Sequence, residues 1–222
     1  MPTPERELRE LDDWALLQEV ERGNRRAGAI FLDRNSGLMS RFFRNKVPNP
    51  EDADELVSET LMACVKAAAG TKTIEGAFRP YLFGVAVKVL HSHLRRQYKR
   101  QRELDDFDEL CVGEADEATP SIALVKKSET RLLVRALRRI PLKYQMVLEM
   151  QFFEEMSGPQ ISELLGIPLP TVYTYQARGK KRLQEVVTEL AENPSLAKST
   201  MMGIQTWAED VRAHISPSDE SA

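Results

Sequence analysis

Ser157-Gly-Pro-Gln-Ile-Ser-Glu-Leu-Leu-Gly-Ile-Pro-Leu-Pro-Thr-Val-Tyr-Thr-Tyr-Gln-Ala-Arg178 is the stretch that decides the fold. Ser157 suits a helix N-cap and Pro159 a first helical turn, while Ile161, Leu164 and Leu165 supply the buried face of one short helix. Gly166 ends that helix, because glycine tolerates the left-handed backbone that a sharp interhelical corner needs, and Ile167 can plug the angle. A second helix, starting at Thr171-Val172, then presents Tyr173, Thr174, Gln176 and Arg178, followed by Lys180, Lys181 and Arg182. Residues at its start (Pro170, Thr171, Tyr173, Thr174, Gln176) are placed to meet base edges in a major groove, and Arg178, Lys180 and Lys181 to sit on phosphates. The competing reading is an ordinary helical hairpin with a solvated basic end. The Gly-Ile corner with basic residues behind it favours a helix-turn-helix.

Upstream of this motif, Leu132, Leu133, Ala136, Leu137 and Ile140 recur at helical spacing, stop at Pro141, and give way to Val147, Leu148, Met150, Phe152 and Phe153. Four helices with tight turns are therefore expected over 128–190. Further upstream the charge changes abruptly. Gly76 to Arg102 holds Arg79, Lys88, Arg95, Arg96, Lys99, Arg100 and Arg102 with no acid; Glu103 to Pro120 holds Glu103, Asp105, Asp106, Asp108, Glu109, Glu114, Asp116 and Glu117 with no base. The acidic stretch lacks periodicity and contains Gly113 and Pro120, which marks a linker over 103–127. The first domain is expected over 1–102, the second over 128–190, and a C-terminal extension over 191–222.

Within the first domain a short leading helix is expected from Trp14 to Val20, then a helix on which Ala29-Ile30, Leu32-Asp33, Leu38-Met39 and Phe42-Phe43 recur at helical spacing, broken at Pro48-Asn49-Pro50. After the break, Asn49 or Asp52 can cap a helix with Leu56, Val57, Leu61, Cys64 and Val65 on one face. A third helix runs from Phe78 through Tyr81, Leu82, Val85, Val89 and Leu94 into the basic end. Its aromatics Phe78, Tyr81, Phe83 and Tyr98 stand among arginines and lysines, a mixture that holds single-stranded DNA by stacking and phosphate contacts, although Tyr81 and Phe83 also suit a core.

Composition narrows the class. With 222 residues, 42% hydrophobic, 29% charged and only 7% aromatic, the chain is long enough for two small helical domains. The expected fold is all-α. No apolar run is long enough to span a membrane and the start MPTPERELRELDDW lacks a signal-peptide pattern, so a cytoplasmic protein is expected. Cys64 and Cys111 lack metal-type spacing and read as one buried thiol and one linker thiol. His91, His93 and His214 form no motif with acids or cysteines, and no phosphate-binding glycine loop is present. No catalytic residue, metal or cofactor is expected, and the chain does not read as an enzyme.

Several blocks resemble one family. Arg135-Ala-Leu-Arg-Arg-Ile-Pro, Phe152-Phe-Glu-Glu-Met-Ser, Ile161-Ser-Glu-Leu-Leu-Gly-Ile, Thr171-Val and Arg178 to Leu183 resemble domain four of the extracytoplasmic-function sigma factors. Asp52-Ala-Asp-Glu-Leu-Val-Ser-Glu-Thr-Leu looks like that family's polymerase-docking helix, and Phe78-Arg-Pro-Tyr-Leu-Phe-Gly-Val-Ala through Leu94-Arg-Arg like its promoter-melting segment. The resemblance implies that Asp52, Asp54, Glu55, Leu56, Ser58, Glu59 and Thr60 contact core RNA polymerase. It also implies that Arg79, Lys88, Arg95, Arg96, Lys99 and Arg100 hold the minus-ten element of promoter DNA, and that the helix-turn-helix reads the minus-thirty-five element. At Ala86-Val87-Lys88 and at Tyr173, Tyr175 and Gln176 the chain departs from the residues usual in the family, so relatives' promoter sequences do not transfer. The two promoter elements lie roughly 70 Å apart, about two DNA turns. A relaxed coil of ~25 residues spans about 25 to 30 Å and its extended limit is about 85 Å, so the linker is expected to be drawn out when both domains engage.

Beyond Leu190, Asn193-Pro194 stops the last helix, and Ile204, Trp207, Val211 and Ile215 share a face at helical spacing. The extension is expected to be helical, and either completes the second domain's core or serves regulation; an anti-sigma factor is the other partner that could control the chain. The rival functions are an ordinary transcriptional regulator, which would bind DNA without polymerase, and a protein-interaction module, which would bind no promoter at all.

Overall fold

A computed structural model of the chain describes residues 5–70, 77–99 and 128–202. The linker over 103–127, Arg100, Cys111 and the stripe Ile204, Trp207, Val211 and Ile215 lie outside the described residues, as does the side chain of Lys99. Among the described residues every regular element is an α-helix. The fold is all-α, and chain contacts divide it into two units, one of 1–43 with 51–97 and one of 44–50 with 98–222.

The first unit opens with α1 (Glu5–Glu10) and α2 (Asp13–Glu21), followed by α3 (Arg25–Arg44), α4 (Pro50–Gly70) and α5 (Phe78–Lys99). Helix α1 has no counterpart in the sequence reading. It is held because Leu8 is fully buried and because Arg34 of α3 donates to the carbonyls of Arg9 at 3.1 Å and Leu11 at 3.0 Å. Asp12 caps α2 by accepting from the Ala15 N–H at 2.8 Å, and Asp13 accepts from both Arg34 and Asn35 at 3.2 Å. Of the two possible starts for α4, the earlier is used: the helix begins at Pro50, directly after Asn49.

Apolar spacing on the three long helices turns Phe31, Met39 and Phe43, then Leu56, Leu61 and Cys64, then Leu82, Phe83 and Leu90 into one core. Each such side chain contributes about 1.5–3 kcal/mol on full burial. Aromatic edges interlock there, with Phe42 against Phe83 at 5.5 Å and Trp14 against Phe78 at 4.9 Å and Tyr81 at 5.0 Å. Phe78 and Phe83 are therefore core rather than a stacking platform. Burial pushes the Cys64 thiol up to about 12 and, together with the nearby Cys64, raises Tyr81 as well.

The second unit holds α6 (Ser128–Arg138), α7 (Leu142–Phe152), α8 (Gly158–Leu165), α9 (Leu169–Leu190) and α10 (Pro194–Met202). Leu142, Met146, Val147, Leu148 and Met150 bury α7 on more than one side, and Leu133, Leu137, Ile140, Leu183, Val186 and Val187 close around it. The segment Arg44–Pro50 belongs to this unit: the Lys46 ammonium, fully buried, donates to the Glu149 carboxylate, and Gln145 donates to the Asn45 carbonyl at 3.0 Å. Such a buried pair is tolerated because each charge meets its opposite, and the Glu149 carboxylate also accepts from Gln145 at 3.1 Å. Asn193-Pro194 ends α9 as expected but also starts α10, since the Asn193 side chain accepts from the Leu196 N–H at 2.9 Å. Ala197 of α10 joins the core, with Leu196 and Met201 packed beside it.

Candidate nucleic-acid interface

The corner between α8 and α9 forms by short-range chemistry. Gln160 returns to the helix start, accepting from the Ser157 N–H at 2.8 Å and its hydroxyl at 2.9 Å, the reciprocal arm of a capping box. Gly166 takes φ 66° and ψ 30° and terminates α8. Ser162, which the sequence reading passed over, fastens the turn: its hydroxyl donates to the Ile167 carbonyl at 2.6 Å, and the Ile167 N–H donates to the Ser162 carbonyl at 3.2 Å. Helix α9 begins two residues earlier than the sequence suggested. The Pro168 carbonyl accepts from the Thr171 and Val172 N–H groups at 2.8 and 3.1 Å, and Pro170 lies in the first turn, where its missing N–H leaves no bond unmade.

Of the residues expected to face DNA, Pro170, Tyr173, Thr174, Arg178, Lys180 and Lys181 are exposed, whereas Thr171 and Gln176 are half-buried. The Thr174 hydroxyl donates back to the Pro170 carbonyl at 2.9 Å, which directs it along its own helix. Tyr175 faces inward: its ring meets Tyr144 edge-on at 5.5 Å, with the Lys143 ammonium 5.7 Å from its centre. The Lys180 ammonium stands 5.1 Å over the Phe152 ring, so its stem lies along the helix pair while its head stays near solvent. Val172, Gly179 and Leu183 form the opposite, buried side of α9. These contacts join residues on different helices and left no local signal in the sequence.

In the first unit, Asp54, Glu55, Ser58 and Glu59 are exposed on α4 and Asp52 is half-buried. Leu56 and Thr60, expected to meet a partner with them, are buried at 2% and 0% exposure, because the 3.6-residue period turns both toward the core. On α5, Arg79, Lys88, Arg95 and Arg96 are exposed, with Ala86 and Val87 buried beneath Lys88. The acidic and basic sets adjoin. Asp52 lies 3.8 Å from His93 Nε2, and Glu59 lies 3.8 Å from an Arg96 guanidinium nitrogen. At these exposures the Arg96 pair is worth little by itself, but it means that one residue from each expected surface shares its neighbour's field.

A corner fixed by a left-handed glycine, followed by a helix with an apolar inner side and exposed polar and basic residues outside, defines a helix-turn-helix protein of the DNA-reading class. The profile described as "Sigma-70 region 2" matches residues 31–100, and "Sigma-70, region 4" matches residues 130–183. The ECF RNA polymerase sigma factor SigW of Bacillus subtilis is 22% identical over 182 residues, covering 78% of this chain and 96% of the relative. The ECF RNA polymerase sigma-E factor of Haemophilus influenzae is 22% identical over 192 residues, covering 82% and 98%. The RNA polymerase sigma factor YlaC of B. subtilis is 29% identical over 158 residues, covering 70% and 88%. The chain belongs to the ECF sigma factors of the sigma-70 family.

Proposed function

We propose that this chain binds core RNA polymerase and directs it to specific promoters, starting DNA-templated transcription there. The observation that carries the reading is the order of parts in one chain: a region 2 match containing the acidic and basic helices α4 and α5, then a region 4 match containing the helix-turn-helix. In this reading the exposed carboxylates Asp54, Glu55 and Glu59, with Asp52 and Ser58, dock on a basic surface of polymerase, while Leu56 and Thr60 support the helix from beneath. Arg79, Lys88, Arg95 and Arg96, continued by Lys99 and Arg100, hold the minus-ten strand through its phosphates. Tyr173 and Thr174 meet the bases of the upstream element, with Pro170, Thr171 and Gln176 shaping the start of the reading helix and Arg178, Lys180 and Lys181 on the backbone. The chain contributes recognition and opening; the chemistry of RNA synthesis stays with polymerase, in the cytoplasm. Among the described residues no helix is long and apolar enough to cross a membrane.

Run-off transcription with core polymerase, the purified full chain and a promoter library tests this. Transcripts that depend on the chain and arise from a restricted set of promoters are expected. Promoter binding by the chain alone, without chain-dependent transcripts, would instead make it an ordinary regulator.

A further inference from the structure

Gly158 opens α8, and Tyr173 sits one turn into α9, fifteen positions later in the sequence. A Cβ placed on Gly158 would lie 3.0 Å from Tyr173 Cε1, 3.1 Å from Tyr173 Oη and 3.1 Å from Leu169 Cδ1. The tyrosine ring therefore leans back across the first turn of α8 and occupies the space that any other residue at 158 would claim. This direction is the one helical side chains favour, toward the N-terminal end of their own helix. Tyr173 nonetheless remains 53% exposed, and among the described residues its hydroxyl has no hydrogen-bond partner. One edge of the ring and its hydroxyl thus lie against the start of α8, while the residue as a whole stays half exposed, as Thr174 and Arg178 are exposed on α9.

We infer that Gly158 is a specificity-determining position that acts through Tyr173: its missing side chain lets the ring lie against α8, and this sets which base edge the tyrosine hydroxyl meets in the upstream promoter element. The inference rests on the reading of α9 as the promoter-reading helix and adds a positioning residue on α8. A hydroxyl can donate to a guanine or adenine N7 or thymine O4 and can accept from an exocyclic amine, so its position selects among bases. Its aim matters more than its presence. A side chain at 158 must push the ring by a few tenths of an ångström or more. The ring can yield because it is exposed, which places the effect on reading rather than on folding.

The test uses holoenzyme reconstituted from core polymerase and the full chain, with promoters randomised across the upstream element, for the unaltered chain, Gly158→Ala, Tyr173→Ala, Tyr173→Phe and the Gly158→Ala/Tyr173→Ala double variant. One hydrogen bond of ordinary strength corresponds to a discrimination of about three- to tenfold. Tyr173→Phe, which keeps the ring, is expected to lose that discrimination at one or two adjacent base positions. Gly158→Ala is expected to change the preferred base at those same positions, and to have no further effect once Tyr173 is alanine. A profile altered by Gly158→Ala equally in the Tyr173→Ala background, or a uniform loss across all promoters, overturns the inference. Arg178→Ala separates the two levels: if it weakens promoter use while the tyrosine and glycine variants leave the profile unaltered, the promoter-reading assignment stands and this inference falls. An unaltered chain that shows no promoter selectivity overturns both.

Discussion

Gly166 and Glu155 adopt the same left-handed backbone, with φ 66° and 53°, one after α8 and one before it. Glycine does so without a Cβ clash, whereas a residue with a side chain is penalised by about 1–2 kcal/mol. Opposite substitutions are therefore expected to have opposite signs. Gly166→Ala should lower unfolding stability by about 1 kcal/mol, and Glu155→Gly should raise it by about 0.5 kcal/mol after glycine's greater unfolded-state entropy is subtracted. Urea unfolding followed by circular dichroism checks both; equal signs would mean that neither backbone is strained as described. The pair also marks how far single residues can be read. The corner was legible because Gly166 and the Ser157 N-cap act within a few residues of sequence. Nothing in a glutamate announces a left-handed turn, and Glu155 passed unnoticed. Likewise Leu56 and Thr60 travelled with the acidic motif as a block, although the helical period alone turns them inward.

At the scale of elements, α7 and α9 pack tightly at Gly179. A Cβ there would stand 3.1 Å from the Cβ of Tyr144 and 3.2 Å from Leu148 Cδ1. The Tyr144 Cβ is fixed to its own backbone and cannot swing aside. Helix propensity favours alanine over glycine by about 1 kcal/mol, but overpacking of this kind typically costs about 1–3 kcal/mol. Gly179→Ala is thus expected to be destabilising by about 1 kcal/mol net, lowering the thermal midpoint by several degrees; a raised midpoint would show that the helices separate freely. The existence of α3, α4, α5, α6, α7, α8 and α9 followed from apolar periodicity and prolines. The pairing of Tyr175 with Tyr144, of Lys180 with Phe152 and of Gly179 with Leu148 did not, since each depends on how two helices cross. Helix α1 was missed for a related reason: it is short and held by neighbours, through Leu8 and Arg34. Helix α10 lies in the C-terminal extension, for which a helix completing the second domain's core was one of the two expectations, and Ala197 joins that core.

Across the whole molecule, a formal net charge of −3 conceals strong segregation, with a basic run over 76–102, an acidic run over 103–120 and a basic outer side on α9. Affinity for a polyanion follows local rather than total charge, so this chain can be acidic overall and still grip promoter DNA. Each phosphate contact contributes a slope of about −0.9 in log affinity against log salt. Arg178→Ala, Lys180→Ala and Lys181→Ala, placed singly in the holoenzyme, are each expected to weaken promoter binding and to flatten that slope by about 1. Fluorescence anisotropy over a salt series checks this; an unchanged slope in all three would remove these residues from the phosphate contacts.

Helix α9 is anchored by Val172, Gly179, Leu183, Val186 and Val187, and carries Thr174, Arg178 and Lys181 on its outer side without burying them. Holding and reading are thus assigned to separate sides of one rod. A duplicated copy of such a chain can drift toward a new regulon by changing outer positions one at a time, with each intermediate still a folded protein. Position 173 is the exception, because a change there is felt across the corner at Gly158, and the two sites constrain each other's inheritance.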